Sequence, residues 1–221
     1  MSSQGDQVVP IWLWRSILAL LALVLLVGLG LAVALALGWR SPAPRRAPNW
    51  TASDLIWQQH GDGWMADAEA GYQVQLTQPE RRAWAIATEA IADFELQLDV
   101  RALLPSEDAG YGVLYRYQDA DNYYLFAIGG DGYYTITLVR RGEPIPLRIW
   151  QQWPHVRRGA ATNRLRVRCQ GALCRFYVND EFTAEILDDT FLSGNVGLWA
   201  QTFSDVALTV AFEELRLWRL D

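Results

Sequence analysis

The chain has 221 residues, enough for one soluble domain together with a tail, a spanning helix and a linker. Its formal net charge is -6, and because Arg15, Arg40, Arg45 and Arg46 precede residue 50, the remainder carries 15 basic against 24 acidic residues, a balance that argues against nonspecific nucleic-acid binding. All the basic residues are arginine, and 11 Trp, 9 Tyr and 7 Phe make 12% of the chain aromatic, which suits β-sheets and carbohydrate-stacking surfaces alike.

Residues 1–16 read as an N-terminal tail. From Ile17 to Leu37 there are 21 consecutive residues without a charge or a strongly polar side chain, and at about 1.5 Å per residue such a helix crosses a hydrocarbon core of roughly 30 Å. Trp12 and Trp14 before the run and Trp39 after it stand where interfacial rings are expected. The run predicts a single transmembrane helix over 17–38, with the lipid bilayer as the partner of Ile17–Leu37. A cleaved signal peptide is the competing reading, since Arg15 gives a positive flank and Ala34-Leu35-Ala36 a small-x-small site, but the apolar region is longer than such peptides use. Residues 39–50, with three prolines and Arg40, Arg45 and Arg46, predict a short extended spacer. Those arginines favour a cytoplasmic domain by the positive-inside tendency, whereas the cysteines and the resemblance described below favour an extracytoplasmic one. The expectation is a single-pass protein of the cell membrane with its C-terminal domain, 51–221, on the extracytoplasmic side.

Beyond residue 50 the apolar period is two. Tyr72 to Leu76 and Trp84 to Thr88 alternate, and Phe94 to Arg101 places four apolar and four polar residues in strict order, which a helix would scatter around its circumference. Strands are expected again over 111–117, 123–128, 133–140, 147–151, 164–169, 174–178, 182–187, 196–201 and 208–218, and only 79–92 has a helical alternative. Turn formers fill the gaps, including Asp119-Ala120-Asp121-Asn122, Gly129-Gly130-Asp131-Gly132 and Asn179-Asp180. Many short strands at this spacing predict an all-β antiparallel sandwich or barrel.

Tyr111, Tyr115 and Tyr117 share a period-two face with Val113, and Tyr123-Tyr124 and Tyr133-Tyr134 follow in adjoining strands. Strands lie about 4.8 Å apart, so such rings can form a platform at the scale of sugars, oriented by hydrogen bonds from turn residues. The candidate ligand-binding set is Tyr111, Tyr115, Tyr117, Asp121, Asn122, Tyr124, Asp131 and Tyr133. The same face can equally be the inner layer of the sandwich.

Leu165, Val167 and Cys169 share one face, as do Cys174, Phe176 and Val178, and a hairpin between them sets Cys169 opposite Cys174. The pair is either a disulfide, which places the domain in an oxidising compartment, or two buried thiols. On the other face Arg164, Arg166, Arg168 and Arg175 stand beside Tyr177, either as an anion-binding surface or as an ion-pair lattice with acids such as Glu181 and Glu185. His60 and His155 lie far from the sulfurs in sequence, and Asp119-Ala120-Asp121-Asn122 lacks the length of a calcium loop, so no metal site is expected.

Read as one stretch, Asn163 to Cys169, Cys174 to Glu181, Leu187 to Phe191 and Gly194 to Ala200 resemble the closing half of a concanavalin A-like, laminin G-like jelly-roll domain, and more narrowly the 3-keto-disaccharide hydrolase (domain of unknown function 1080) family. Tyr177-Val178-Asn179-Asp180 stands where that family has a tight turn usually ending in Gly, and Gly112 to Tyr117 with Asp121 to Phe126 match its earlier strands, so the resemblance covers about residues 60–220. It implies an antiparallel jelly-roll β-sandwich and an external, sugar-facing role. No phosphate loop, His-Glu-x-x-His or Gly-x-Ser-x-Gly is present, and although Asp119, Asp121, Asp131, Asp188 and Asp189 are carboxylates of the kind glycoside hydrolysis uses, the Glu-x-Asp-x-x-Glu pattern of enzymes with the broader sandwich is missing. No catalytic residue and no cofactor is expected. The expected function is a membrane-anchored binding module for a glycan or envelope polysaccharide. The alternatives are a structural or protein-interaction module with an envelope protein as partner, and a glycoside hydrolase-like enzyme.

Overall fold

The computed structural model describes residues 14, 16, 18–26, 46–61, 63–67, 71–204 and 207–220, with the backbone alone for 64–67. They fall into two units, one up to Arg46 and one from Ala47 onward. In the first, residues 18–26 are helical and exposed. Ile17 and residues 27–38 of the expected span lie outside the described residues, as does the linker over 39–45. Among the described residues no helix is long and apolar enough to cross a membrane.

The second unit is built of antiparallel strands: β1 (Trp50–Thr51), β2 (Trp57–Gly61), β3 (Trp64–Asp67), β4 (Gly71–Leu76), β5 (Arg82–Ile91), β6 (Phe94–Leu104), β7 (Ala109–Asp119), β8 (Asn122–Gly129), β9 (Tyr133–Arg140), β10 (Glu143–Gln152), β11 (Thr162–Gln170), β12 (Leu173–Val178), β13 (Glu181–Leu187), β14 (Gly194–Thr202) and β15 (Leu208–Arg219). One sheet runs β13-β12-β11-β6-β15-β4-β3, with β1 also on β15, and the other runs β10-β9-β8-β7-β14-β5-β2. Trp50, expected in the linker, already pairs with Leu217. The 79–92 segment is strand rather than helix, because Ala83, Ala85 and Ala87 alternate inward with Arg82, Trp84 and Ile86 outward.

The core lies between the sheets. Phe94, Leu96, Leu98 and Val100 of β6 and Leu165, Val167 and Cys169 of β11 meet Val113 of β7, Phe126 of β8 and Leu198 of β14, all buried. Each such Leu or Phe contributes roughly 1.5–3 kcal/mol on leaving water. Consecutive antiparallel strands sort the turns to two ends. At the proximal end the chain arrives from the linker: Asn49 N–H donates to the Leu217 carbonyl (2.9 Å), and its side-chain oxygen accepts from Arg219 N–H (2.8 Å). The β5–β6, β7–β8, β9–β10, β11–β12 and β13–β14 connections lie at that end, and the β6–β7, β8–β9, β10–β11, β12–β13 and β14–β15 connections at the distal end.

Candidate functional site

The outer face of the seven-stranded sheet is where outward alternation places rings instead of charges. Trp84 of β5 pairs directly with Trp199 of β14, and Ile86 with Gly197. Across β7 and β8 the same face carries Leu114, Tyr123, Leu125 and Ala127, and these side chains form an apolar cluster separate from the core, with Trp84 and Tyr117 half-buried against it. The floor between the rings is flat because glycine occupies it: a Cβ at Gly112 would stand 2.1 Å from the Phe126 carbonyl oxygen, a distance no larger residue can adopt. His60 stacks on Trp84 (5.5 Å), the Arg82 guanidinium lies over the Trp84 ring (5.1 Å), and Tyr117 stacks on Tyr123 (5.9 Å). Trp199 is 4% exposed, and its indole N–H has no hydrogen-bond acceptor among the described residues. The Trp84 indole N–H lies beside the Tyr117 hydroxyl without reaching hydrogen-bond geometry. Both nitrogens are buried, so what this face offers a ligand is the exposed part of its rings, Trp84 and Tyr117 above all, rather than an indole donor.

Toward the distal end the face opens into a cavity of about 330 Å³. Trp150 and Phe203, 37% and 38% exposed, meet edge to face at 6.0 Å and form its apolar wall, and Glu107, Asp108 and Asp131 its polar one. A Cβ on Gly110 would come within 3.2 Å of both Trp150 and Trp199 and 3.3 Å of Phe203, so the absent side chain is what lets the three rings gather. One Asp131 carboxylate oxygen accepts from Tyr133 N–H (3.2 Å). Burial first, and then the Asp131 charge, push the Tyr111 phenol up to about 12.

The eight residues picked out in sequence are not brought together. Tyr111, Tyr115 and Tyr124 are inward, buried in the core, and Tyr115 stacks on Tyr124 at 5.0 Å. Burial, followed by the hydrogen bond to Asp188, pushes the Tyr124 phenol up to about 12. The expectation that Tyr117 shares their face fails at a β-bulge: Arg116 has φ 49°, the pairing with β8 shifts between Tyr115 and Asp119, and Tyr117 turns outward. Asp121 and Asn122 are engaged within the β7–β8 turn, where Asp119 accepts from Asp121 N–H (2.8 Å) and from the Asn122 amide (2.8 Å), and the Asn122 oxygen accepts from Arg141 N–H (3.0 Å). Asp131 and Tyr133 lie at the far end of β8, roughly 25 Å away for a strand of that length. Only Tyr117 and Asp131 of the set join the aromatic face and its cavity. Sequence reading passed over Trp84, Trp199, Trp150 and Phe203, although the alternation Arg82-Ala83-Trp84-Ala85 and the pair Gly197-Leu198-Trp199 already separate small inward from aromatic outward positions.

The buried end of Arg116 organises the proximal turns. Its guanidinium, 1% exposed, donates to the carbonyls of Phe191 (3.0 Å) and Gly171, and so ties the β7 bulge to the β11–β12 turn and the β13–β14 loop. Asp188 accepts from the Tyr124 hydroxyl and from Thr190 N–H (2.9 Å). Burial opposes its charge, but those hydrogen bonds and Arg116 outweigh it and hold the Asp188 carboxyl below the usual carboxylate range. Next to them Cys169 and Cys174 face each other in the expected register, Val167 against Phe176 and Leu165 against Val178, and form a disulfide. The connecting turn is the two residues Gly171 and Ala172, since Gln170 pairs with Leu173.

The outer face of the eight-stranded sheet is a lattice of ion pairs. Arg164 forks onto Asp99 (2.7 and 2.8 Å), Arg168 reaches Glu95 (3.1 Å), Arg175 reaches Glu185 (2.7 Å), and Arg166 lies over the Tyr177 ring at 3.8 Å. The acids come mainly from β6, which register places beside β11, rather than from Glu181. Among the described residues no group of three or more His, Cys, Asp and Glu side chains can hold a metal ion.

No family model and no curated protein sequence matches the chain. Solved structures do. The carbohydrate binding module CBM66 from Bacillus subtilis superposes with a TM-score of 0.60 at 19% identity, over 79% of this chain and 99% of that one. A protein of unknown function with a galectin-like fold from Bacillus subtilis gives 0.60 at 11% identity, over 80% and 97%. The VIP36 exoplasmic/lumenal domain, in a form bound to Ca2+ and Man3GlcNAc, gives 0.56 at 12% identity, over 80% and 90%. The chain therefore has the concanavalin A-like, galectin-like jelly-roll fold, as its strand motifs imply.

Proposed function

We propose that this chain is a membrane-anchored carbohydrate-binding module that holds a glycan of the cell envelope on the outer face of its seven-stranded sheet. The observation that carries the reading is that face itself: half-buried Trp84 and Tyr117 lie on an apolar surface backed by Trp199 and Tyr123, and the row ends in an open cavity walled by the exposed rings of Trp150 and Phe203 and by carboxylates. Apolar sugar faces stack on such rings, and carboxylates accept from hydroxyl hydrogens. Two of the similar structures are a carbohydrate binding module and a domain bound to Man3GlcNAc, which supports the same class of ligand.

The apolar run Ile17–Leu37 serves as the anchor in this reading, and the disulfide favours an extracytoplasmic domain because such bonds persist in oxidising compartments. The linker joins the sandwich at the proximal end while the cavity lies at the distal end, so the ligand site is on the end of the sandwich remote from the tether. The test is a glycan array followed by calorimetry on the full chain, repeated with Trp150→Ala and Trp84→Ala. Saturable binding weakened tenfold or more by both folded variants is expected. Absence of saturable binding to neutral and charged polymers, or binding indifferent to both variants, would sink the assignment.

A further inference from the structure

The distal cavity differs in kind from the rest of the aromatic face. Its walls combine two exposed rings with three carboxylates, Glu107, Asp108 and Asp131, and no basic side chain is among the residues that line it. Arg158 packs over Gly132, one residue on from Asp131, yet is not part of the lining. This contrasts with the eight-stranded sheet, where acids such as Glu95, Asp99 and Glu185 are met by arginine. The cavity carboxylates are held by neutral partners instead: Asp131 by Tyr133 N–H, and Asp108 by the Ser204 hydroxyl. They do not converge tightly enough to hold a metal ion. Negative charge spread around a cavity of about 330 Å³ and faced by Trp150 and Phe203 is the arrangement that attracts a soft, extended cation through ring faces and carboxylates together.

We infer that this cavity is a cation-accepting subsite that selects glycans carrying a positively charged amino group, with Trp150 and Phe203 as its aromatic walls and Glu107 and Asp131 as the principal counter-charges. The inference rests on the glycan-binding reading of the adjacent face. A neutral sugar docked there gains from the rings alone. A sugar bearing an ammonium group gains in addition from the uncompensated carboxylates, whereas an N-acetylated sugar of the same length lacks the charge and keeps a single neutral N–H donor.

The test uses the full chain in detergent and three probes: a β-1,4-linked glucosamine oligosaccharide, its fully N-acetylated counterpart of equal length, and tetramethylammonium as a sugar-free cation. Calorimetry is expected to show the amine form binding about tenfold or more tighter than the acetylated form, with the preference shrinking as salt rises. The double variant Glu107→Gln/Asp131→Asn, whose Asn keeps the oxygen that accepts from Tyr133 N–H, is expected to lose the preference while retaining stacking affinity. Trp150→Ala should weaken the amine form with the sandwich intact by circular dichroism. Equal affinity for the two oligosaccharides, or a preference that survives the double variant, would overturn the subsite and leave the glycan reading standing. Binding of tetramethylammonium, abolished by the double variant, with no glycan bound at all would instead overturn the glycan reading and keep the cation subsite. No binding of any probe overturns both.

Discussion

On the eight-stranded sheet the outward positions of β11 are Arg164, Arg166 and Arg168, and each meets a carboxylate or a ring of its own sheet: Asp99, Tyr177 and Glu95. On the seven-stranded sheet the outward positions of β5 and β14 are Arg82, Trp84, Gly197 and Trp199, and there the rings pack on one another while an indole N–H lacks an acceptor. Both faces follow the same period of two and the same antiparallel pairing. The difference is what meets the outward groups: on the eight-stranded sheet guanidinium groups face carboxylates and a ring of their own sheet, whereas the aromatic face runs into an open cavity whose carboxylates have no cation among the residues that line it. The way to break this comparison is to change residues whose polar groups are satisfied in different degrees and read stability and binding separately.

The largest effect is expected at Arg116, the arginine that the β7 bulge turns inward. Its removal in Arg116→Ala leaves the Phe191 and Gly171 carbonyls without that donor and takes away a positive charge beside Asp188, so a loss of about 3 kcal/mol is expected in urea denaturation. Arg116→Lys should recover only part of it, because one ammonium cannot reproduce the planar fork. Asp188 gives the same cluster a pH signature. Its folded pKa is depressed, so the stability it contributes is present above the unfolded carboxylate value near 4 and is lost as the pH falls below that. An Arg116→Ala protein as stable as the parent would show that the inward arginine is as dispensable as an outward one.

How much of this was legible differs by element. The strands, the Cys169–Cys174 register and the two-residue Asn179-Asp180 turn, with both φ positive, follow from local alternation and turn chemistry, and the sequence carries both. The fate of the tyrosines does not. From Tyr111 through Tyr117 the pattern is a clean period of two, yet one residue in the left-handed region reverses it after Tyr115, and nothing local marks Arg116 as that residue, since arginine has no preference for such a conformation. What fixes it is non-local: its guanidinium reaches carbonyls at Gly171 and Phe191, more than fifty residues away in sequence. The cavity was hidden for a related reason. Glu107, Asp131, Trp150 and Phe203 belong to four separate connections and strands, and only the closing of the sandwich brings them to one end.

Next in size is the disulfide, the covalent counterpart of the Arg116 tie at the proximal end. The closed loop is short, with a sequence separation of 5, so the chain-entropy contribution is about 2 kcal/mol. Both half-cystines are buried, Cys169 at 0% and Cys174 at 4% exposed. Dithiothreitol is expected to leave the folded protein oxidised and to reduce it only in urea, and Cys169→Ala/Cys174→Ala should fold with its urea midpoint lowered. Rapid reduction of the folded protein would mean that the proximal end opens far more readily than the buried pair implies.

A smaller effect separates binding from stability on the aromatic face. Trp84 is half-buried at the edge of the apolar cluster, in contact with His60 and the Arg82 guanidinium, and as a ring of the proposed ligand face its loss in Trp84→Ala should reduce glycan affinity about tenfold, equivalent to about 1.4 kcal/mol. Arg164→Ala on the opposite face should leave affinity untouched. Equal losses from the two substitutions would erase the distinction between the faces.

The smallest expected effect sharpens the comparison from the other side. Arg175 and Glu185 face each other across β12 and β13 at 2.7 Å, with both side chains 44% exposed. Exposed pairs of this kind gain modest Coulomb energy, lose side-chain freedom in holding one geometry, and are screened by salt, so their coupling is typically about 0.2–1 kcal/mol. A double-mutant cycle with Arg175→Gln and Glu185→Gln should return a coupling in that range at low salt, and less at about 1 M, where the Debye length falls to roughly 3 Å. The comparison requires that this coupling be small and that neither single variant alter glycan affinity. If the pair were already satisfied within the sheet, removing one partner would release a charge that water solvates at once, because the site is half open. A coupling of several kcal/mol would instead mark the arginine face as a stiff, desolvated surface, and its guanidinium groups would then have to be weighed beside the tryptophans as the protein's means of holding a ligand.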